Sequence, residues 1–170
     1  MRYNRIKEFD TTNGVGIRVS LWTQGCSKRC LNCFNKETWD FNNGHEMTVE
    51  TMNHIIDLLS DRHLIKRDFS VLGGEPLEKV NIPLLTELLQ RIKKQLPDVN
   101  VWIWTSKQFN EIKNLELLKY IDVLIDGEFK TELYSPKLRF RGSSNQSIID
   151  VKESLKQNKK ILAKQYYESE

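Results

Sequence analysis

"DFSVLGGEPLEKVNIPLLTELLQRIKKQLPDVNVWIW", Asp68 to Trp104, is the stretch whose reading decides the fold. It opens on a short β-preferring run, Asp68 to Leu72, that leads straight into the turn Gly73-Gly74-Glu75-Pro76. Helical periodicity follows from Ile82 to Leu96, introduced by Asn81 and Pro83 and closed by Pro97. Proline suits a first helical turn and cannot continue a helix, so both boundaries have a mechanism. Val99 to Trp104 then reads as a second strand, rich in β-branched and aromatic residues. Strand, helix and strand at this spacing make a βαβ unit, whose two strands run parallel.

Outward from that unit the rhythm repeats. Val15 to Trp22 reads as an earlier strand that feeds a loop holding all three cysteines. Thr48 to Asp61 is a helix with Thr48 as N-cap and Val49, Met52, Ile55, Ile56 and Leu59 on one face. Downstream, Asn110 to Ile121 reads as a helix and Asp122 to Asp126 as a strand that stops at Gly127. The prediction is an α/β fold with a mostly parallel sheet, and such sheets bind ligands on the loops at the carboxyl ends of their strands. The cysteines and Gly73-Gly74-Glu75-Pro76 follow two of those ends, so they form one candidate site. The tail, Val151 to Glu170, carries lysines at many turns and reads as an exposed helix of no assigned role beside a unit formed by residues 1–150.

Composition narrows the class. A chain of 170 residues, 39% hydrophobic and 29% charged, can bury one good core. No apolar run approaches the roughly 20 residues of a membrane span, and "MRYNRIKEFD" lacks the apolar centre of a secretory signal, so a cytoplasmic protein is expected. A dispersed net charge of +3 fits solubility and gives no argument for nucleic acid. Only His45, His54 and His63 are present, with no candidate Ser-His-Asp set.

Cys26, Cys30 and Cys33 then need an explanation. An odd number of cysteines in a reducing compartment argues against a disulfide framework. They could occupy i, i+4 and i+7 on a buried helix face, but Ser27, Lys28, Arg29, Asn32, Asn35 and Lys36 surround them with polar groups. A redox pair at Cys30 and Cys33 leaves Cys26 unused. Structural zinc takes four ligands, and nothing in the spacing of His45 recommends it as the fourth. A cubane iron-sulfur cluster held by three thiolates keeps one iron open to a ligand, with Lys28 and Arg29 expected to lower the thiol pKa values.

Three cysteines separated by three and then two residues, followed by the aromatic Phe34, resemble the signature of the radical S-adenosylmethionine enzymes. "TNGVGIRVSLWTQGC", "CFNKETWDFNNG", "GGEPL", "VWIWT", "DVLIDGEF" and "LRFRGSSNQ" are similar, in order and spacing, to one branch of them, the activating proteins of anaerobic, glycyl-radical ribonucleoside-triphosphate reductases. The resemblance implies one 4Fe-4S cluster on Cys26, Cys30 and Cys33 and S-adenosylmethionine at its open iron. It further implies cleavage to a 5′-deoxyadenosyl radical that takes hydrogen from a reductase glycine, and so a radical oxidoreductase. It places Gly73, Gly74 and Glu75 at the methionine end of the cosubstrate, with Glu75 accepting from its ammonium group, and Asn32 and Phe34 at the adenosine. Implied partners are a dimeric reductase, giving a heterotetramer, and an external donor such as reduced flavodoxin, with neither nucleic acid nor membrane. An activase for a pyruvate formate-lyase type of partner and a zinc or electron-transfer module are the alternatives.

The implied fold is an incomplete, open βα barrel whose mouth admits a glycine loop of a protein substrate. Trp102 and Trp104 share a strand face and read as core. Where relatives commonly show Gly-Tyr after the threonine, this chain has Ser106-Lys107 after Thr105. The donor-rich stretch Arg139 to Gln146 is expected to grip a carboxylate or receive the glycine loop.

Overall fold

The computed structural model describes residues 1–61, 63 and 65–167. Its strands are β1 (Arg2–Asp10), β2 (Arg18–Thr23), β3 (His45–Glu46), β4 (Asp68–Gly73), β5 (Val101–Trp104), β6 (Val123–Asp126) and β7 (Ser147–Asp150). They form one open sheet in the order β3-β1-β2-β4-β5-β6-β7. The central four, β2, β4, β5 and β6, are parallel, and β4 pairs with β2 from Arg18–Asp68 to Thr23–Gly73. β1 and β3 add antiparallel strands on one side and β7 on the other.

The expected parallel centre is present, and the three antiparallel strands are additions. β1 is charged and mostly exposed or half-buried, so it lacks the apolar alternation that marks a strand. β2 begins at Arg18 rather than Val15. The preceding loop is turned by Asp10, whose carboxylate accepts from the Thr12 amide (3.0 Å) and the Asn13 side chain (2.6 Å).

The helices α1 (Val49–Ser60) and α2 (Ile82–Gln95) lie where the periodicity puts them. Thr48 caps α1 by accepting from the Thr51 amide, whereas Val49, expected on the apolar face, is exposed. Asn81 starts α2 without a capping hydrogen bond; its side chain donates to the Glu75 carbonyl instead. The single helix expected over 110–121 is two pieces, α3 (Phe109–Ile112) and a 3₁₀ turn at Glu116–Tyr120. A continuous helix would turn Leu117 roughly 140° away from Ile112, yet both are buried, so the chain breaks to bring them to one core.

Alternation along the strands separates two cores. Phe69 and Val71 of β4 and Val101 and Ile103 of β5 pack with Met52, Ile55 and Leu59 of α1 and Leu85, Leu88 and Ile92 of α2. Each such side chain contributes about 1.5–3 kcal/mol. On the opposite face Trp102 and Ile125 pack with Ile148, Phe140 and Tyr166, and among the described residues no long helix covers the sheet there. Trp22, Leu72 and Trp104, toward the carboxyl ends, floor a cavity on this uncovered face.

A buried cation ties the strands together at their amino ends. Arg18 is fully buried, donating Nε to Ser70 Oγ (2.6 Å) and Nη2 to the Phe69 and Asn100 carbonyls (2.7 and 2.8 Å). Burial lowers its pKa to about 10, against the favourable field of Asp68, so it stays charged at neutral pH.

The tail is not an exposed helix throughout. α4 (Val151–Gln157) is capped by Asp150 and buries Val151 and Ser154. Ala163 is buried, Tyr166 packs edge-on against Trp102, and the Tyr167 hydroxyl accepts from the Ile148 amide (2.6 Å). Residues 168–170 lie outside the described residues. Among the described residues no helix is long and apolar enough to cross a membrane.

Candidate iron-sulfur and nucleotide site

The cysteine loop leaves β2 and does not form a helix. Arg29 and Asn32 both take left-handed backbone conformations (φ 50° and 56°), so the chain winds through successive turns and the three cysteines cannot share a helical face. Glu78 fixes the start of the loop: one carboxylate oxygen accepts from the Ser27 amide (2.7 Å) and hydroxyl (2.5 Å). Cys26 is buried, Cys30 and Cys33 are half-buried, and none forms a disulfide. All three border one cavity of about 510 Å³.

Gly73 and Gly74 let the loop after β4 lie backbone to backbone on the cysteine loop. The Gly74 amide donates to the Thr23 carbonyl (3.0 Å) and the Glu75 amide to the Gly25 carbonyl (2.9 Å). A Cβ on Gly74 would stand 2.5 Å from the Gly25 oxygen, and one on Gly73, at φ 112°, 2.7 Å from the Thr23 nitrogen. The glycines therefore join the two loops as well as facing the cavity.

Glu75 borders the cavity, but its buried carboxylate is already engaged. One oxygen accepts from the Leu77 amide (2.9 Å) and Thr105 hydroxyl (2.6 Å), the other from the Ser106 amide (2.7 Å) and hydroxyl (2.6 Å). Ser106 thus supplies two of the four donors that strap the loop after β4 to the end of β5. Phe34 borders the cavity and packs on Phe129 and Tyr134 at ring distances of 5.3 and 5.7 Å, while Asn32 is exposed and lies away from it. Trp102 is core as expected, whereas Trp104 is a cavity wall, its indole donating to the Phe140 carbonyl (2.7 Å). From the stretch Arg139 to Gln146, Phe140, Arg141, Gly142 and Gln146 reach the cavity. Gln146 ties this loop to β6 by donating to the Gly127 carbonyl (2.9 Å).

Sequence reasoning missed Glu128. Its carboxylate lies 3.8 Å from the Cys30 sulfur and pairs with Lys28 at 3.3 Å. Burial first, and this carboxylate second, push the Cys30 thiol up to about 11; burial also raises Cys26. That reverses the expected effect of Lys28, whose charge is spent on Glu128. No local signal marks the contact, because Glu128 is far from Cys30 in sequence.

A protein from Vibrio cholerae named anaerobic ribonucleoside-triphosphate reductase-activating protein is 39% identical over 150 residues, covering 87% of this chain and 97% of that one. The family described as a 4Fe-4S single cluster domain matches residues 12–149. The chain belongs to the anaerobic ribonucleoside-triphosphate reductase-activating proteins. Relatives of the same name from Enterobacteria phage T4, 38% identical, and Escherichia coli strain K12, 36% identical, each match 87% of the chain and 93% and 97% of their own lengths. The matched 4Fe-4S domain contains both loops of the site and stops before α4.

The donors fit such a cluster in kind: three thiols, none in a disulfide, border one cavity. Among the described residues no three His, Cys, Asp or Glu side chains converge to hold a single metal ion. A cubane carries its irons at separate corners and takes its thiolates spaced apart.

Proposed function

We propose that this chain activates an anaerobic ribonucleoside-triphosphate reductase by reductive cleavage of S-adenosylmethionine. Cys26, Cys30 and Cys33 would each ligate one iron of a 4Fe-4S cluster, leaving the fourth iron for the amino and carboxylate groups of the cosubstrate. Such a cluster, when bound, supplies one electron from an external donor such as reduced flavodoxin, so that the cosubstrate parts into methionine and a 5′-deoxyadenosyl radical, which takes a hydrogen atom from a glycine of the reductase.

The chain's own residues position and enclose these groups. Glu78 and the backbone bonds between the glycine and cysteine loops hold the thiols at the carboxyl ends of β2 and β4. Glu75, with four protein donors, keeps the loops after β4 and β5 at a fixed separation, which orients whatever lies between them. In this reading it acts as a strut and leaves the ammonium group to backbone acceptors of the Gly73-Gly74 loop. Phe34, Phe129 and Trp104 wall the cavity with apolar surface and exclude water from a reactive radical. Asn32, in its left-handed backbone conformation, turns the chain between Cys30 and Cys33. The sheet reads as an incomplete radical S-adenosylmethionine barrel, open on the side where a protein loop must enter, and a cytoplasmic setting fits the reduced thiols.

One observation carries the reading: three free cysteines and the Gly73-Gly74-Glu75 loop border a single cavity large enough for a nucleoside. Anaerobically reconstituted protein, given dithionite, S-adenosylmethionine and the reductase, should yield 5′-deoxyadenosine and a glycyl doublet by electron paramagnetic resonance. Cosubstrate cleaved with no radical on the reductase would overturn the assigned substrate.

A further inference from the structure

The cavity mouth carries a surface that the chemistry inside does not explain. Leu31, Phe34 and Tyr134 are 76%, 67% and 48% exposed, and Leu133 is 39% exposed. They form one patch: the Thr131 hydroxyl donates to the Leu31 carbonyl (2.8 Å), Phe34 packs on Tyr134, and Leu133 closes the 3₁₀ turn Thr131–Leu133. Exposed apolar clusters rimmed by polar groups mark interaction sites.

The rim is basic. Residues 26–36 hold three basic and no acidic side chains, and residues 127–142 hold four basic and two acidic. These two segments therefore carry +5, more than the +3 of the whole chain, so the remainder is net negative.

Resting on the reading above that a protein is the substrate, we propose that this collar is the docking surface for a segment of the partner reductase that presents apolar side chains between carboxylates. Charge selects that occupant. A second copy of this chain docked symmetrically would set +5 against +5, which like-charge repulsion opposes. Nucleic acid is disfavoured because Glu128 and Glu132 would oppose phosphates beside Phe34 and Tyr134, the two rings on which a base would stack. A carboxylate-bearing peptide is attracted by Lys130 and Lys137 while its apolar side chains cover the leucines and aromatic rings.

The test uses the reconstituted full chain and the intact reductase. Leu133→Ser with Lys130→Glu and Lys137→Glu changes three exposed side chains outside the cavity. Reductase binding, measured by anaerobic sedimentation, should weaken by about tenfold or more, and binding by the unaltered chain should weaken with salt more steeply than that of the variant. Cleavage of S-adenosylmethionine with dithionite and no reductase should be unchanged in the variant. Loss of that cleavage in the unaltered chain would refute the radical mechanism and not the docking. Equal affinity of variant and unaltered chain, displacement of the reductase by a single-stranded oligonucleotide, or self-association through the collar would each overturn the proposal.

Discussion

Cys30 is the residue on which most of the site's electrostatics meet. It is half-buried with the Glu128 carboxylate beside it, and both effects favour the thiol over the thiolate. Replacing Glu128 with Gln should lower the Cys30 pKa from about 11 without restoring the ordinary value, since burial, the larger cause, remains. Alkylation of the metal-free protein at fixed pH should therefore be faster in E128Q, and an unchanged rate would remove Glu128 from the account. Cys30→Ala should abolish both iron retention and cosubstrate cleavage, measured by iron analysis and product assay; cleavage that survives would defeat the ligand assignment. Glu75→Gln places an amide group among four donors, so at least one bond is lost at a cost of about 1–3 kcal/mol. S-adenosylmethionine binding, followed by equilibrium dialysis, should weaken together with thermal stability.

Elements were legible where one physical signal ruled and obscure where several competed. α1 and α2 follow from periodicity because each packs one apolar face on one core, and β4, β5 and β6 follow from near-continuous apolar runs because the central strands are buried on both faces. β1 and β7 were hidden: the first carries charges on a largely exposed surface, and the second offers only Ile148 and Ile149 between polar Ser147 and Asp150. The break between α3 and the following 3₁₀ turn reflects core geometry rather than local preference. In the site, the cysteine spacing and the glycine pair could be read directly, since chain-local chemistry fixes them. Glu78, Glu128 and the strapping of Glu75 by Ser106 could not, because they are contacts across loops remote in sequence. Two element-scale outcomes follow. Arg18→Met leaves Ser70 and the Phe69 and Asn100 carbonyls without their donor inside the sheet, and urea unfolding should show a loss of roughly 2–5 kcal/mol. Gly74→Ala forces the two site loops apart, and should cost about 1–3 kcal/mol with weaker iron retention; a variant as stable and iron-replete as the original would show that the loops are free to separate.

At the scale of the molecule, the helices cover one face of the sheet and leave the carboxyl half of the other as a cavity with an open mouth. The sheet ends at β3 and β7 without closing, the arrangement expected if a loop of another protein must reach the chemistry. The tail stabilises the far part of that face by covering Trp102 with Tyr166, so it supports the floor without entering the site. The central claim is that three cysteines hold a cluster with one iron left for S-adenosylmethionine. Mössbauer spectroscopy of the anaerobically reconstituted protein tests it most directly: adding S-adenosylmethionine should shift the signal of one iron of the cluster and leave the others in place, whereas a cluster whose irons are all unmoved would contradict it.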